Sequence, residues 1–413
     1  MANRPLLLAL LLSVTCPAAW AQLPAGTEFQ VNSYATNSQS APAVASDANG
    51  NFVVAWGSTG QDGSYGGVFG QRFNASGLPQ GSEFQVNTYT TSFQGAPAVA
   101  SDANGKFVVV WNGQDGGNDG VFSQRFDASG LPQGSEFQVN SYTTSFQSLP
   151  AVASDANGNF VLVWQSYRQD GGGFGVFGQR FNAAGAPQGS EFQATSHITG
   201  HQRLPDVASD VAGNFVVVWT SFGQDGSGDS NGVFGQRFNA VGVRQASEFQ
   251  VNSYSTGNQG YPAVASDANG NFVVVWDSNG QDGSAYGVFG QRFDASGVPQ
   301  GSEFQVNTYT TSYQRNPAVA SDAGGDFVVV WDSNGQDGSA YGVFGQRFDA
   351  SGVPQGSEFQ VNSYTTSSQS SPTVASNANG NLVVVWQSSG QDGSGSGIFG
   401  QRYGDLIFKN GFE

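Results

Sequence analysis

Apolar residues recur along this chain in two rhythms, always in the same order. One is strict alternation. Glu303-Phe304-Gln305-Val306-Asn307 puts Phe304 and Val306 on one side and polar groups on the other, which predicts a strand with one covered face. The other is continuous. Phe327-Val328-Val329-Val330-Trp331 has no polar position, as expected of a strand buried on both faces. Pro317-Ala318-Val319-Ala320-Ser321 precedes it as a strand of small residues, and Val343-Phe344-Gly345-Gln346-Arg347-Phe348 follows it. Turns of the Asp-Ala-Asn-Gly type join the small strand to the apolar one, a strong hairpin signal. A Gly-, Asn- and Asp-rich loop follows the tryptophan, and Asp349-Ala350-Ser351-Gly352 leads into the next Glu-Phe-Gln. The pattern predicts four strands per unit.

The unit occurs seven times, opening at Glu28, Glu83, Glu136, Glu191, Glu248, Glu303 and Glu358, with spacings of 55, 53, 55, 57, 55 and 55. Glu to Trp is 28 residues in all seven, and Arg to the next Glu is 11 in all six cases. Trp to Arg is 16 in most units but 14 from Trp111 to Arg125 and 18 from Trp219 to Arg237, so length changes fall in one loop. Repeats of this size, each unable to bury its own faces, imply a closed or stacked array. Four strands and seven units predict an all-β fold, a seven-bladed β-propeller over residues 22–404. The small strand would be innermost, the Phe-Val-Val-Val-Trp strand second and the Glu-Phe-Gln strand outermost. The strand at Glu28–Asn32 would complete the last blade and close the ring. A β-solenoid is the alternative, but it would need caps, and none is visible.

Residues 1–21 read as a secretory signal peptide: Arg4, an apolar Leu6–Val14 run, Pro17, and Ala19-Trp20-Ala21 before a cut at Gln22. Thr15 before Cys16 does not fit a lipoprotein signal. Cleavage removes the only cysteine and Arg4, leaving 13 basic against 31 acidic residues, a net charge of −18, with no disulfide or thiolate chemistry. Such a surface disfavours nucleic acid and anionic membranes, so neither is expected as a partner, and no other stretch is long and apolar enough for a membrane span. The expected location is secreted, extracellular or periplasmic, in a Gram-negative bacterium, as a monomer.

The variable loop and the outer-to-inner link share one face of the expected ring, and tolerance of length change marks loops that carry function. This face would carry Tyr34, Tyr89, Tyr142, Tyr254, Tyr309 and Tyr364, with His197 in the tyrosine position of the fourth unit, and Tyr65, Tyr286 and Tyr341. Aromatic platforms beside amides and carboxylates suit a polysaccharide or another cell-surface component, so these are the candidate ligand-binding residues. Seven aspartates in Gln-Asp-Gly, namely Asp62, Asp115, Asp170, Asp225, Asp282, Asp337 and Asp392, are candidate ligands for Ca2+, or else loop clamps. Seven arginines, Arg72, Arg125, Arg180, Arg237, Arg292, Arg347 and Arg402, read as one structural pair or loop clamp per blade. Gln39 and its six repeats would satisfy backbone groups of the link. The aspartates of the hairpin turns, such as Asp47 and Asp102, read as Asx-turns, because Asn377 takes the place of the seventh. His197, His201 and Asp206 of the fourth unit are the one place where a catalytic group could break the symmetry. Paired carboxylates for glycoside chemistry cannot be singled out, since each candidate has copies in other units.

With Phe-Val-Val-Val-Trp followed by Gly-Val-Phe-Gly-Gln-Arg-Phe over residues 28–403, the units resemble tandem repeats of exported bacterial proteins. They are also distantly similar to integrin-like FG-GAP propellers and fungal propeller lectins, a resemblance that implies calcium and carbohydrate binding. The tail 405–413 resembles short Phe-x-x-Gly-Phe-Glu endings of exported proteins and reads either as a sorting signal or as a strand padding the last blade. Residues 276–307 and 331–362 match throughout, which points to multivalency. The expectation is therefore a non-catalytic, multivalent binding or adhesion module for glycans, not an enzyme. The alternatives are a glycan-acting propeller enzyme or a structural surface protein.

Overall fold

A computed structural model describes residues 24–114, 118–226, 228 and 230–404. The signal segment 1–21, the tail 405–413 and Asp115 lie outside the described residues. Seven antiparallel four-stranded sheets form a ring, with no helix among the described residues: a seven-bladed β-propeller. Blade 5 runs outward through Gln259–Ser266, Phe272–Asn279, Tyr286–Phe293 and Phe304–Gln305. Blade 6 runs through Gln314–Ser321, Phe327–Asn334, Tyr341–Phe348 and Pro354–Gln360. Blade 7 takes three strands from Gln369–Tyr403 and its outermost from Phe29–Gln30, which pairs with Phe399 and Gly400. The N-terminal strand thus closes the ring as the sequence phasing expects.

The cores lie between blades. Each second-strand tryptophan is fully buried, and Trp56 of blade 1 packs with Val383, Val385 and Ile398 of blade 7. Phe29 of blade 7 lies on Phe52 and Phe73 of blade 1 at 6.3 and 5.5 Å, and the same trio recurs around the ring, as at Phe304, Phe327 and Phe348. A strand buried on both faces must be apolar throughout, which is why Phe-Val-Val-Val-Trp lacks alternation. The outermost strand ends at its glutamine in every blade, and in six of them an asparagine side chain serves the next ladder position. Val288 N donates to Asn307 Oδ1 at 2.7 Å, and Ile398 N donates to Asn32 Oδ1 at 2.7 Å. The side-chain amide of that asparagine in turn reaches the buried glutamine of the link, Asn32 Nδ2 to Gln39 Oε1 at 3.1 Å, and Gln39 Nε2 donates to Thr36 O.

Polar repeats fasten blade to blade. Glu28 Oε2 accepts from Ser363 N and Oγ at 2.6 and 2.8 Å, and Glu358 Oε2 does the same with Thr308. The repeated arginines clamp turns of the next blade through carbonyls rather than carboxylates: Arg125 Nη1 donates to Ala183 O at 2.8 Å, and Arg402 Nη1 to Ala75 O at 3.0 Å. Each hairpin-turn aspartate closes its own turn. Asp47 Oδ1 accepts from Asn49 N and Asn51 N, and Asn377 Oδ1 accepts from Asn379 N and Asn381 N in the same way.

Candidate functional site

The innermost strand of every blade carries a bulge at one register, and at each a non-glycine residue has positive φ: Ala41, Ala96, Leu149, Leu204, Tyr261, Asn316 and Ser371, at 47–54°. Seven L-residues held in the left-handed region are strained by about 1–2 kcal/mol each, and such strain collects at functional sites. In five of the seven blades the residue after the second-strand tryptophan of the preceding blade fastens the bulge; Gly57 and Thr220 do not. Asn112 Oδ1 accepts from Leu149 N at 3.0 Å, Gln165 Oε1 from Leu204 N at 3.2 Å, and Gln387 Oε1 from Ala41 N at 3.4 Å. In blades 5 and 6 the same task falls to acids. Asp277 accepts from the backbone of Asn316, and Asp332 Oδ2 accepts from Ser371 N at 3.4 Å.

The two acids belong to one cluster at the mouth of the ring, on the face that carries the links and the variable loops. Asp277 and Asp332 are 2% and 1% exposed. Asn316 Nδ2 donates to Asp332 Oδ2 at 2.9 Å, while Asp332 Oδ1 is buried with no partner. Burial pushes the Asp277 carboxyl up to about 7, against the pull of Arg315 and the backbone hydrogen bonds, with the charge of Asp332 adding to the rise. Burial likewise brings Asp332 up to about 6, opposed by Asn316, Ser371 and Arg315. Tyr286, Tyr313 and Tyr341 surround the pair. Tyr286 stacks on Tyr313 across the blade boundary at 6.1 Å, and Arg315 lies 5.2 Å from the Tyr313 ring and 5.1 Å from the Tyr341 ring. Burial, followed by the charge of Asp277, raises the Tyr286 phenol.

Of the expected ligand residues, the structure brings Tyr286 and Tyr341 into this cluster. Tyr34, Tyr142, His197, Tyr254, Tyr309 and Tyr364 are half-buried, and Tyr89 is exposed, one per blade along the links. Tyr65 is 83% exposed; Gly66, not Tyr65, holds the strand place that Tyr286 fills in blade 5. In the variable loops the repeated aspartates close their own turns: Oδ1 of Asp62, Asp170, Asp282 and Asp337 accepts a backbone N–H at 2.9 Å. The second oxygen of Asp62, Asp282, Asp337 and Asp392 is buried without a donor. Among the described residues no group of three His, Cys, Asp or Glu side chains is placed to hold a metal. In the fourth unit His201 Nδ1 accepts from Phe174 N at 3.2 Å. Asp206 Oδ2 accepts from Val264 N at 2.8 Å, and the protein around it brings its carboxyl up to about 6. The opposite face carries clefts of about 290, 260 and 290 Å³ between blades 1 and 2, 3 and 4, and 5 and 6. The hairpin-turn aspartates that line them, Asp47, Asp155 and Asp267, close their own turns, and Arg72 and Arg292 clamp the next blade.

No protein-family model matches the chain, and no curated protein matches it. Solved structures do. A protein of unknown function from Dyadobacter fermentans superposes with a TM-score of 0.54 at 11% identity, over 94% of this chain and 99% of that one. The polysaccharide lyase Uly1 superposes with a TM-score of 0.50 at 12% identity, over 86% and 88%. An α-L-arabinanase from Penicillium chrysogenum follows with a TM-score of 0.48 at 12% identity, over 92% and 99%. Identities this low show a shared fold.

Two sequence expectations change. In place of the integrin-like and lectin propellers, the structures that superpose at a TM-score of 0.50 or more are a protein of unknown function and a polysaccharide lyase. The expectation of a non-catalytic module does not stand on the fold, because a polysaccharide lyase shares it. The multivalency it rested on also fails to describe the mouth, where Asp277 and Asp332 stand at a register that is Gly57, Asn112, Gln165, Thr220 and Gln387 in the other blades.

Proposed function

We propose that the protein is a glycan-acting enzyme that cleaves a polysaccharide at the mouth of the propeller, with Asp277 and Asp332 as its acid–base pair. One observation carries this reading. An amide fastens the next bulge in blades 2, 3 and 7, so the fold does not require a carboxyl there, yet blades 5 and 6 bury one each beside the other. An acid placed where an amide would serve supplies proton chemistry. With the pair's values near 7 and 6, Asp277 holds a proton close to neutrality for the departing glycosidic oxygen, while Asp332 is largely ionised to take up a proton or face developing positive charge. The tyrosines at the rim give the flat, partly apolar surfaces on which sugar rings stack. The shared fold of glycan-cleaving propellers supports the same reading, and the exported, acidic chain suits a substrate outside the cell.

The test is depolymerisation of a panel of plant and algal polysaccharides, followed by new reducing ends and by ultraviolet absorbance of unsaturated products. Asp277→Asn and Asp332→Asn are the controls, because asparagine already does this structural task in blade 2. Each variant should stay folded and lose about 10²–10⁴-fold in kcat, the usual worth of a positioned acid or base. Folded variants with unchanged turnover would remove the assignment.

A further inference from the structure

Arg315 stands on the innermost strand of blade 6 at a register occupied by Ser40, Gly95, Ser148, Arg203, Gly260 and Ser370 in the other blades. It is opposite Asp332 in the ladder and forms part of the acid cluster. Its guanidinium is held by rings rather than by a carboxylate. The plane lies between Tyr313 and Tyr341, Nη2 donates to Tyr341 Oη at 2.5 Å, and Nε is buried with no acceptor. The hydrogen bonds to the two neighbouring acids come from Asn316, Gly260 and Ser371. An arginine pinned by two aromatic faces keeps its fork rigid, and with Nε unpaired it retains donor capacity for a planar or tetrahedral anion. The chain as a whole disfavours anions, since its net charge is −17. Blade 4 has Arg203 at this register, opposite Thr220, but Arg315 lies opposite an acid and between two tyrosine rings.

We infer that Arg315 is the specificity-determining residue of the mouth, and that the glycan bound there is anionic, carrying a carboxylate or a sulfate ester that the guanidinium receives. This rests on the proposed glycan-cleaving function and names its substrate class. The groups facing the anion are Arg315, the carboxyls of Asp277 and Asp332, and the phenols of Tyr261, Tyr286, Tyr313 and Tyr341. As pH falls from 8 to 5 both carboxyls become neutral and the pocket becomes net positive, so binding of an anion should strengthen over that interval.

The experiment uses the Asp277→Asn protein, whose turnover should be too slow to consume the ligand, and titrates it with three tetrasaccharides: a polyuronate, a sulfated galactan fragment and a neutral arabinan fragment. One anionic fragment should bind at least tenfold more tightly than the neutral one, and which of the two does so identifies carboxylate or sulfate. Adding Arg315→Gln should abolish that preference, and Arg315→Lys should restore part of it, with unfolding midpoints confirming that each variant is folded. Equal binding of neutral and anionic fragments, no binding of either anionic fragment, or an anion preference that survives Arg315→Gln would overturn the inference. Cleavage of a neutral glycan by the wild type, untouched by Arg315→Gln, would sink the inference but leave the enzyme reading standing. Arg315-dependent anion binding without cleavage of any polysaccharide would do the reverse.

Discussion

At the residue scale, the two acids of the mouth are costly to fold. Burial raises their folded-state values above the roughly 3.9 of an unfolded aspartate, so the folded chain holds extra protons between about pH 4 and pH 7. Their contribution is most favourable below pH 4 and is lost as pH rises through the folded values near 6 and 7. Asp277→Asn should therefore be more stable than the wild type at pH 8 by on the order of 1–4 kcal/mol, and the gain should vanish near pH 4. Urea unfolding at the two pH values checks this; a variant less stable than the wild type at pH 8 would show that the carboxylate is well compensated where it lies. Catalysis should follow the same pair. kcat/KM should peak between the limbs near 6 and 7 set by Asp332 and Asp277, and Asp277→Asn should erase the alkaline limb. These residues were hidden in the sequence by the repeats themselves. The match of residues 276–307 with 331–362 contains both aspartates, so they look like copies of each other; only alignment of the position after each tryptophan shows that no other blade has an acid there.

At the scale of the strand and turn, the chain was far more legible. Strands were readable because alternation, continuity and small size each answer a different burial: half-wet at the rim, sandwiched between blades, crowded at the axis. The bulges had a signal that was read only as the start of an edge strand: a proline follows every residue at positive φ, from Ala41-Pro42 to Ser371-Pro372, and proline within a sheet is confined to edges and bulges. The fastening from the neighbouring blade left no local signature, because the residue that supplies it lies in the preceding repeat. The turns make a sharper test. In Asp102 one oxygen accepts from Asn104 N and Lys106 N at 2.9 Å. Asp102→Asn should thus cost less than about 1 kcal/mol, as Asn377 shows the amide fits, while Asp102→Ala should cost about 1–3 kcal/mol through unsatisfied backbone donors. Denaturant midpoints decide it; equal losses in both variants would mean that charge, not acceptor geometry, matters in that turn.

At the scale of the whole molecule, seven near-copies build a frame and the differences among them make the site. The frame depends on closure. Phe29–Gln30 supplies the last strand of blade 7, Phe29 packs on blade 1, and Glu28 staples Ser363. Removing residues 24–32 should lower the unfolding midpoint sharply, whereas Glu28→Ala alone should cost only a few kcal/mol, as expected for a charge-assisted hydrogen-bond pair. A truncated chain as stable as the full one would mean that the ring holds without its clasp. Repetition was read from the sequence as multivalency, and on the rim and the opposite face the blades are alike. The mouth is not, because the registers that converge on the axis are the ones the repeats leave free to vary. Residues in one column of seven copies become neighbours around a circle, so divergence there gathers unlike groups at one point.

Stoichiometry distinguishes a single site from seven. Calorimetric titration of folded Asp277→Asn protein with the tightest-binding tetrasaccharide should give one ligand per chain, lost on adding Arg315→Gln. Several equivalent ligands per chain, indifferent to the residues of the mouth, would contradict the single asymmetric site and return the repeats themselves to the centre of function.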